Sequence, residues 1–310
     1  MRQSSLQPDD LGGNNESVLA LVGPTGSGKT DLGLQLAARL DAEIINCDSR
    51  QVYRGLDIGS AKPSAAERAA VPHHLLDVVD PDQSFDCARY RDLARAAVAD
   101  IRSRGRRVVL VGGTGLYLKV LRYGLLPAPP RDPGLRTRLD ALEDAQPGAL
   151  HARLARRDPA AAARLHPHDR TRLIRALEVC ELTGRPLSAW QAEHGFRTAE
   201  LRMRVVGLAM ERGALYARLD ARCRRMVEDG LIDEVHALWR RGYGPDLPPL
   251  RSIGYREIGA HLRGECDRET AIGLMQRATR RFAKRQLTWF RADPTVEWVA
   301  AERATAEEIE

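Results

Sequence analysis

VLALVGPTGSGKT, residues Val18–Thr30, is the stretch that decides the fold. Five apolar residues run into GPTGSGKT, a full match to G-x-x-x-x-G-K-[ST]. Asp31–Leu40 then places Leu32, Leu36 and Leu40 at helical spacing. Strand, glycine loop and helix in that order are the context a phosphate-binding loop requires. The glycines let the backbone curl so that its N–H groups face phosphate oxygens, and the helix N-terminus adds the positive end of a dipole. Gly23, Pro24, Thr25, Gly26, Ser27, Gly28, Lys29 and Thr30 are the expected phosphate cradle, with Lys29 as a point charge and the Thr30 hydroxyl toward Mg2+. The competing reading is a tight strand–helix turn with no ligand.

Outward from the loop, Glu43–Asn46 reads as a second strand that ends at Cys47-Asp48-Ser49, and Leu75–Val79 as a third. Ala88–Ser103 has an amphipathic helical pattern, and Arg107–Val111 is another buried strand. This alternation implies a parallel sheet with helices on both faces. Leu125–Pro133 is proline-rich and reads as a linker. From Gly134 to about Gly195 the pattern is helical, and Met203–Met210 returns to a strand. Glu211–Arg291 is helical, with loops at Gly242–Pro249. The expected class is α/β: a P-loop parallel-sheet core with helices on both faces and a helical insertion domain. The expected division is a disordered tail at 1–16, a discontinuous P-loop core at 17–126 and 203–300, a helical insertion at 127–202, and a tail at 301–310.

The chain has 310 residues, 43% of them hydrophobic, enough for one large domain or two linked ones. A net charge of +6 suits a polyanionic partner, although simple arginine enrichment gives the same number. The five cysteines are scattered without a C-x-x-C pair, so no disulfide framework or zinc site is indicated and a reducing cytoplasm fits. No apolar run approaches a membrane span, and the first residues lack the apolar stretch of a signal peptide.

In most phosphate-loop NTPases a later apolar strand ends in an aspartate that helps to hold magnesium. Here VVLVGGTGLY, Val108–Tyr117, runs instead into Gly112, Gly113 and Thr114. The acid is missing, which weakens a reading as an ATPase or kinase. Asp48, at the end of the second strand, lies where open α/β sheets bind ligands. Such a carboxylate would hold magnesium or accept a proton, or else serve only as a turn or cap residue. HPHDRTRLIRALEV, His166–Val179, puts Arg172 and Arg175 on one helix face, suited to nucleic-acid phosphates or to solvent. A metal reading of His166, His168 and Asp169 lacks a further ligand cluster. RATRRFAKRQLTWFR, Arg277–Arg291, is a strongly basic helix with phosphate contact and plain solubility both open.

Together GPTGSGKT, INCDSRQVYRGLDIGSAKP, GGTGLYLKVLRYGL, HPHDRTRLIRALEV, LRSIGYRE and ATRRFAKRQLTWFR resemble, in order, the tRNA dimethylallyltransferase (tRNA isopentenyltransferase) family, from about Val18 to Arg291. The resemblance implies transfer of a five-carbon prenyl group from dimethylallyl diphosphate to N6 of the adenine just 3′ of the anticodon, with Mg2+ as cofactor. The loop would then grip a leaving diphosphate, and no acid for γ-phosphate cleavage is needed. Carried over by position, Asp48 is the general base, Thr25 lies near the bridging oxygen, and Arg222 is a second clamp. Asp48, Ser49, Arg50 and Gln51 match a tRNA-contacting segment. So do Thr114, Arg136, the run Thr171, Arg172, Leu173, Ile174 and Arg175, and the run Arg251, Ser252, Ile253, Gly254, Tyr255 and Arg256. The implied partners are dimethylallyl diphosphate and the tRNA anticodon stem-loop, with no membrane, a cytoplasmic location and a monomer as default. Four positions depart from the usual pattern: Gly26, Arg50, Gly115 and His168 stand where alanine, alanine, methionine and asparagine are common. Competing activities are prenylation of a free adenine nucleotide, a small-molecule kinase, and a non-catalytic RNA-binding protein.

Overall fold

The computed structural model describes residues 17–309. The tail expected at 1–16 lies outside the described residues. Six strands form one parallel sheet: β1 (Val18–Val22), β2 (Ala42–Asn46), β3 (His73–His74), β4 (Arg107–Gly112), β5 (Met203–Ala209) and β6 (Val296–Ala300), in the order β3-β2-β4-β1-β5-β6. Side chains alternate between the two faces of a strand, yet all five residues of β1 and of β2 are buried, so both faces of the sheet are covered. That explains why these strands read as unbroken apolar runs. On one face, Leu32 and Leu36 of α1 (Lys29–Arg39) pack on Leu19, Leu21, Val206 and Leu208.

The described chain forms two compact units. One holds the sheet and comprises the described residues up to Arg122 and from Glu200 onward; the other is Tyr123–Ala199. In the sheet unit, α2 (Ala65–Ala70), α3 (Cys87–Ser103) and α4 (Gly115–Tyr123) follow β2, β3 and β4. The smaller unit is all helical: α5 (Pro133–Ala145), α6 (Ala149–Arg157), α7 (Pro159–Ala162), α8 (Arg170–Thr183) and α9 (Leu187–His194). Leu135, Leu139, Leu150, Leu154, Leu173 and Leu177 make its core. Asp132, Asp158 and Asp169 cap three of its helices, which is why aspartates punctuate its sequence. The chain then adds α10 (Arg212–Glu228), α11 (Leu231–Arg240), α12 (Tyr255–Leu262), α13 (Arg268–Arg291) and α14 (Ala306–Ile309) to the sheet unit. No helix among the described residues is long and apolar enough to cross a membrane.

Two expectations differ from the structure. Leu75–Val79 is not a strand: Leu75 and Asp77 have φ of 64° and 53°, in the left-handed region that interrupts a strand, and only His73–His74 pairs with β2. Residues 301–310, expected as a tail, include α14, whose Ile309 is buried against the α1 face of the sheet.

Candidate active site

The connection after β1 leads to β2 on one side of it, and the connection after β4 leads to β5 on the other. Adjacent strands whose connections diverge open a crevice at their carboxyl ends. The two turns that flank it are the glycine loop and Gly112–Thr114. A cavity of about 610 Å³ lies here, and Thr25, Lys29, Thr30, Asp48, Gln51 and Arg222 all line it.

Local hydrogen bonds fix these groups. Asn46, at the end of β2, clamps Asp48: its Oδ1 accepts from Asp48 N at 3.0 Å, and its Nδ2 donates to the Asp48 carbonyl at 3.2 Å. Asp48 Oδ1 accepts from Arg50 N at 2.7 Å, an Asx-type turn, while Oδ2 has no donor among the described residues. The turn reading and the functional reading of Asp48 are therefore compatible, because one oxygen serves each. Thr25 N donates to Gln286 Oε1 at 2.8 Å, and Gln286 Nε2 donates to the Gly113 carbonyl at 2.9 Å. Gln286 thus ties the glycine loop to the turn after β4. Arg222 reaches Thr25 Oγ1 at 3.4 Å, and Lys29 Nζ donates to the Pro24 carbonyl at 2.7 Å. Ser27 is buried with its Oγ unpartnered among the described residues, as befits a place that takes a ligand oxygen or a water.

Packing explains the missing acid. A Cβ on Gly112 would lie 2.2 Å from the Cys47 carbonyl oxygen, and one on Gly113 would lie 2.1 Å from Gln286 Nε2. The end of β4 has no space for an aspartate. Gly112→Ala is expected to lower stability by about 1–3 kcal/mol, the usual cost of overpacking, read from urea unfolding. An unchanged midpoint would show that the Cys47 strand end can move aside.

The cavity is built for an anion. Burial, and then the neighbouring Arg222, push the Lys29 ammonium down to about 7, with Asp48 pulling the other way. Burial likewise lowers Arg222. Lys29 and Arg222 share the cavity lining with Arg218 and Arg225 and with carboxylates that include Asp48 and Asp229, and a bound polyanion would favour the charged forms of the two desolvated cations. Cys47, next to Asp48, is pushed up to about 12 by burial and stays a thiol, so it is no nucleophile.

The IPP transferase family model matches residues 51–293. The chain belongs to the IPP transferase family. A curated relative from Citrifermentans bemidjiense, tRNA dimethylallyltransferase 1, is 51% identical over 91% of each chain. The solved full-length tRNA isopentenylpyrophosphate transferase of Bacillus halodurans is 42% identical, with a TM-score of 0.69 over 95% of this chain and 93% of that one. A eukaryotic dimethylallyltransferase solved in crystallographic snapshots acting on tRNA is 29% identical, with a TM-score of 0.76 over 92% of this chain and 74% of that one.

Within this IPP transferase the other residues singled out from sequence fall into three groups. Ser49 and Thr114 join the cavity turns, since Ser49 N donates to Thr114 Oγ1 at 3.0 Å. In the helical unit, Leu173 and Ile174 are core residues, and Arg136 and Arg175 are both held by the buried Glu178. Thr171 and Arg172 stay exposed there, Arg172 in a pair with Asp169. In the run Arg251–Arg256, Tyr255 is buried and its hydroxyl donates to Glu234 at 2.6 Å. Gly254 takes φ 91° at the start of α12, Ser252 Oγ bonds back to the Pro249 carbonyl, and Ile253 packs on the neighbouring apolar cluster. Arg251 and Arg256 are exposed beside Asp246 and Glu257. Sequence reasoning missed Gln286, a lone amide in a charged helix, and Asn46, whose clamp on Asp48 depends on a turn that no residue pattern announces. It also missed Arg218 and Arg225, which line the cavity one turn of α10 either side of Arg222.

Proposed function

We propose that this IPP transferase moves a dimethylallyl group from dimethylallyl diphosphate to N6 of the adenine 3′-adjacent to the anticodon of tRNA, releasing diphosphate. The observation that carries this reading is the union of a phosphate loop with the open carboxylate oxygen of Asp48, at a site with no room for a hydrolase acid. The glycine-loop N–H groups and Lys29 bind the diphosphate. N6 attacks C1 of the prenyl group, the C1–O bond breaks, and its electrons pass to the bridging oxygen. Thr25 and Arg222 face that oxygen and stabilise its charge. The proton leaving N6 goes to Asp48 Oδ2, which strengthens a weak nucleophile as the C–N bond forms. An adenine reaches such a cavity only when turned out of its stack. One chain supplies all these groups, so a monomer suffices.

Among the described residues no three His, Cys, Asp or Glu side chains gather as a metal cage. Mg2+ needs no such cage, because it keeps waters and binds through one or two protein oxygens plus substrate phosphates. The Thr30 hydroxyl and a cavity carboxylate fit that role. When bound with the diphosphate, the ion would supply further charge neutralisation on the leaving group.

The test mixes the protein with Mg2+, an unmodified tRNA transcript and either dimethylallyl diphosphate or ATP, then digests the RNA and weighs its nucleosides. Prenyl-adenosine formed only with dimethylallyl diphosphate is the expected result. ATP turnover without prenyl-adenosine would favour a kinase, and prenylation of free adenosine monophosphate but not tRNA would favour the nucleotide-modifying rival.

A further inference from the structure

Residues 57–63 form one wall of the cavity: Asp57, Ile58, Ser60, Ala61, Lys62 and Pro63 line it. The segment belongs to no helix or strand, so its N–H groups have no ladder to join and need other acceptors. One side chain takes three of them in a row. Glu234, in the first turn of α11, accepts on Oε2 from Asp57 N at 3.1 Å and Ile58 N at 2.7 Å, and on Oε1 from Gly59 N at 3.2 Å. Successive N–H groups converging on a carboxylate make a strong, charge-assisted fastening. The buried Tyr255 completes the set, its hydroxyl donating to Oε1 at 2.6 Å. Tyr255 also closes on the segment directly: a Cβ on Gly59 would lie 2.6 Å from its ring, so glycine lets the wall come this near.

The same segment holds the turn that carries Asp48. Gln51 Nε2 donates to the Ser60 carbonyl at 3.2 Å and to the Ala61 carbonyl at 3.0 Å. Gln51 directly follows Arg50, whose N–H donates to Asp48 Oδ1. Beyond these bonds the buried Lys62 ammonium pairs with Asp57 and Asp77 and donates to the Tyr53 carbonyl at 2.8 Å. Glu234 and Tyr255 are not among the residues that line the cavity, so both act from behind its wall. A continuous run of bonds thus leads from α11 and α12, through residues 57–61 and Gln51, to the Asp48 turn.

We propose that Glu234 and Tyr255 are positioning residues for prenyl transfer: they fix residues 57–61, and through Gln51 that segment sets where the open oxygen of Asp48 points. This rests on the reading of Asp48 as the base. Tyr255 then serves the reaction from inside the fold. A reacting group displaced by about 1 Å loses up to about 100-fold in rate, so a fastening this far from the chemistry is felt in the chemical step.

The test measures single-turnover prenylation of a tRNA transcript, with RNA and dimethylallyl diphosphate saturating, beside the KM of each and the urea midpoint. Glu234→Gln keeps the shape of the side chain but leaves one acceptor oxygen where both are used. Tyr255→Phe deletes one hydroxyl. Each should slow the chemical step by about 10-fold to 100-fold, with both KM values near those of the wild type. Gln51→Ala should slow it too. The double variant Glu234→Gln/Gln51→Ala should be no more than about twofold slower than the slower single variant, because the two residues act in series. Losses that multiply, or wild-type rates in both Glu234→Gln and Tyr255→Phe, would overturn the positioning role, and a slow Asp48→Asn would still leave the base in place. A lower urea midpoint with an unchanged rate would make Glu234 a structural anchor only. A wild-type rate in Asp48→Asn would overturn the base and this inference with it, and a wild type that forms no prenyl-adenosine would overturn the reaction as well.

Discussion

Asp48→Asn is expected to lower kcat for tRNA prenylation by about 10²–10⁴-fold, the range of a lost general base, with diphosphate binding retained. Asparagine suits this test because its amide oxygen still accepts from Arg50 N, where Asp48 Oδ1 now accepts at 2.7 Å. The turn therefore survives, and the Asn46 clamp acts on the backbone of residue 48, not on its side chain. What disappears is the second oxygen, the one with no protein donor. Single-turnover kinetics with saturating RNA would read the chemical step directly. A rate near that of the wild type would assign the proton to another acceptor and return Asp48 to a turn residue.

Arg222→Gln is expected to lower kcat by about 10²–10³-fold, as for loss of one preorganised donor at a developing oxyanion. It should also leave a signature in pH. Lys29 sits near 7 in the free protein because of burial and then the nearby Arg222. A bound diphosphate favours the charged ammonium, so the bound value is higher than the free one. Binding above pH 7 must then take up a proton, and affinity must fall as pH rises through about 7. Removing the Arg222 charge raises Lys29, so this fall should begin at higher pH in the variant. Calorimetry of diphosphate binding at pH 8, in two buffers of different ionisation enthalpy, reports the proton uptake. An identical pH onset in wild type and variant would show that Arg222 does not act on Lys29.

How much of this was readable beforehand depended on the range of the interaction. Val18–Val22 came out with its exact ends, and β2, β4, β5, α1 and α3 within one or two residues, because their signals are local: apolar runs and leucine spacing. Leu75–Val79 is apolar enough for a strand. Its backbone is instead bent at Leu75 and Asp77, the latter drawn to Lys62 and Arg68. Those ion pairs are set by tertiary position, which composition does not display. β6 was missed although Val296, Trp298 and Val299 suit a strand, since five residues after a long charged helix carry little periodicity. In the site the phosphate loop announced itself, and the family resemblance supplied Thr25 and Arg222. Gln286 was silent, because an amide is informative only through what it touches.

The reach of Gln286 also bears on how the protein is made. Its bond to Thr25 joins positions 261 residues apart, and β6 is laid down later still, at 296–300. A chain emerging from the ribosome presents the glycine loop 261 residues before the amide that braces it. Non-local pairings of this kind form late and slowly. A product that stops short of α13 would carry the phosphate-loop motif without the Gln286 bond that holds Thr25 N, so the motif alone does not fix the loop's position.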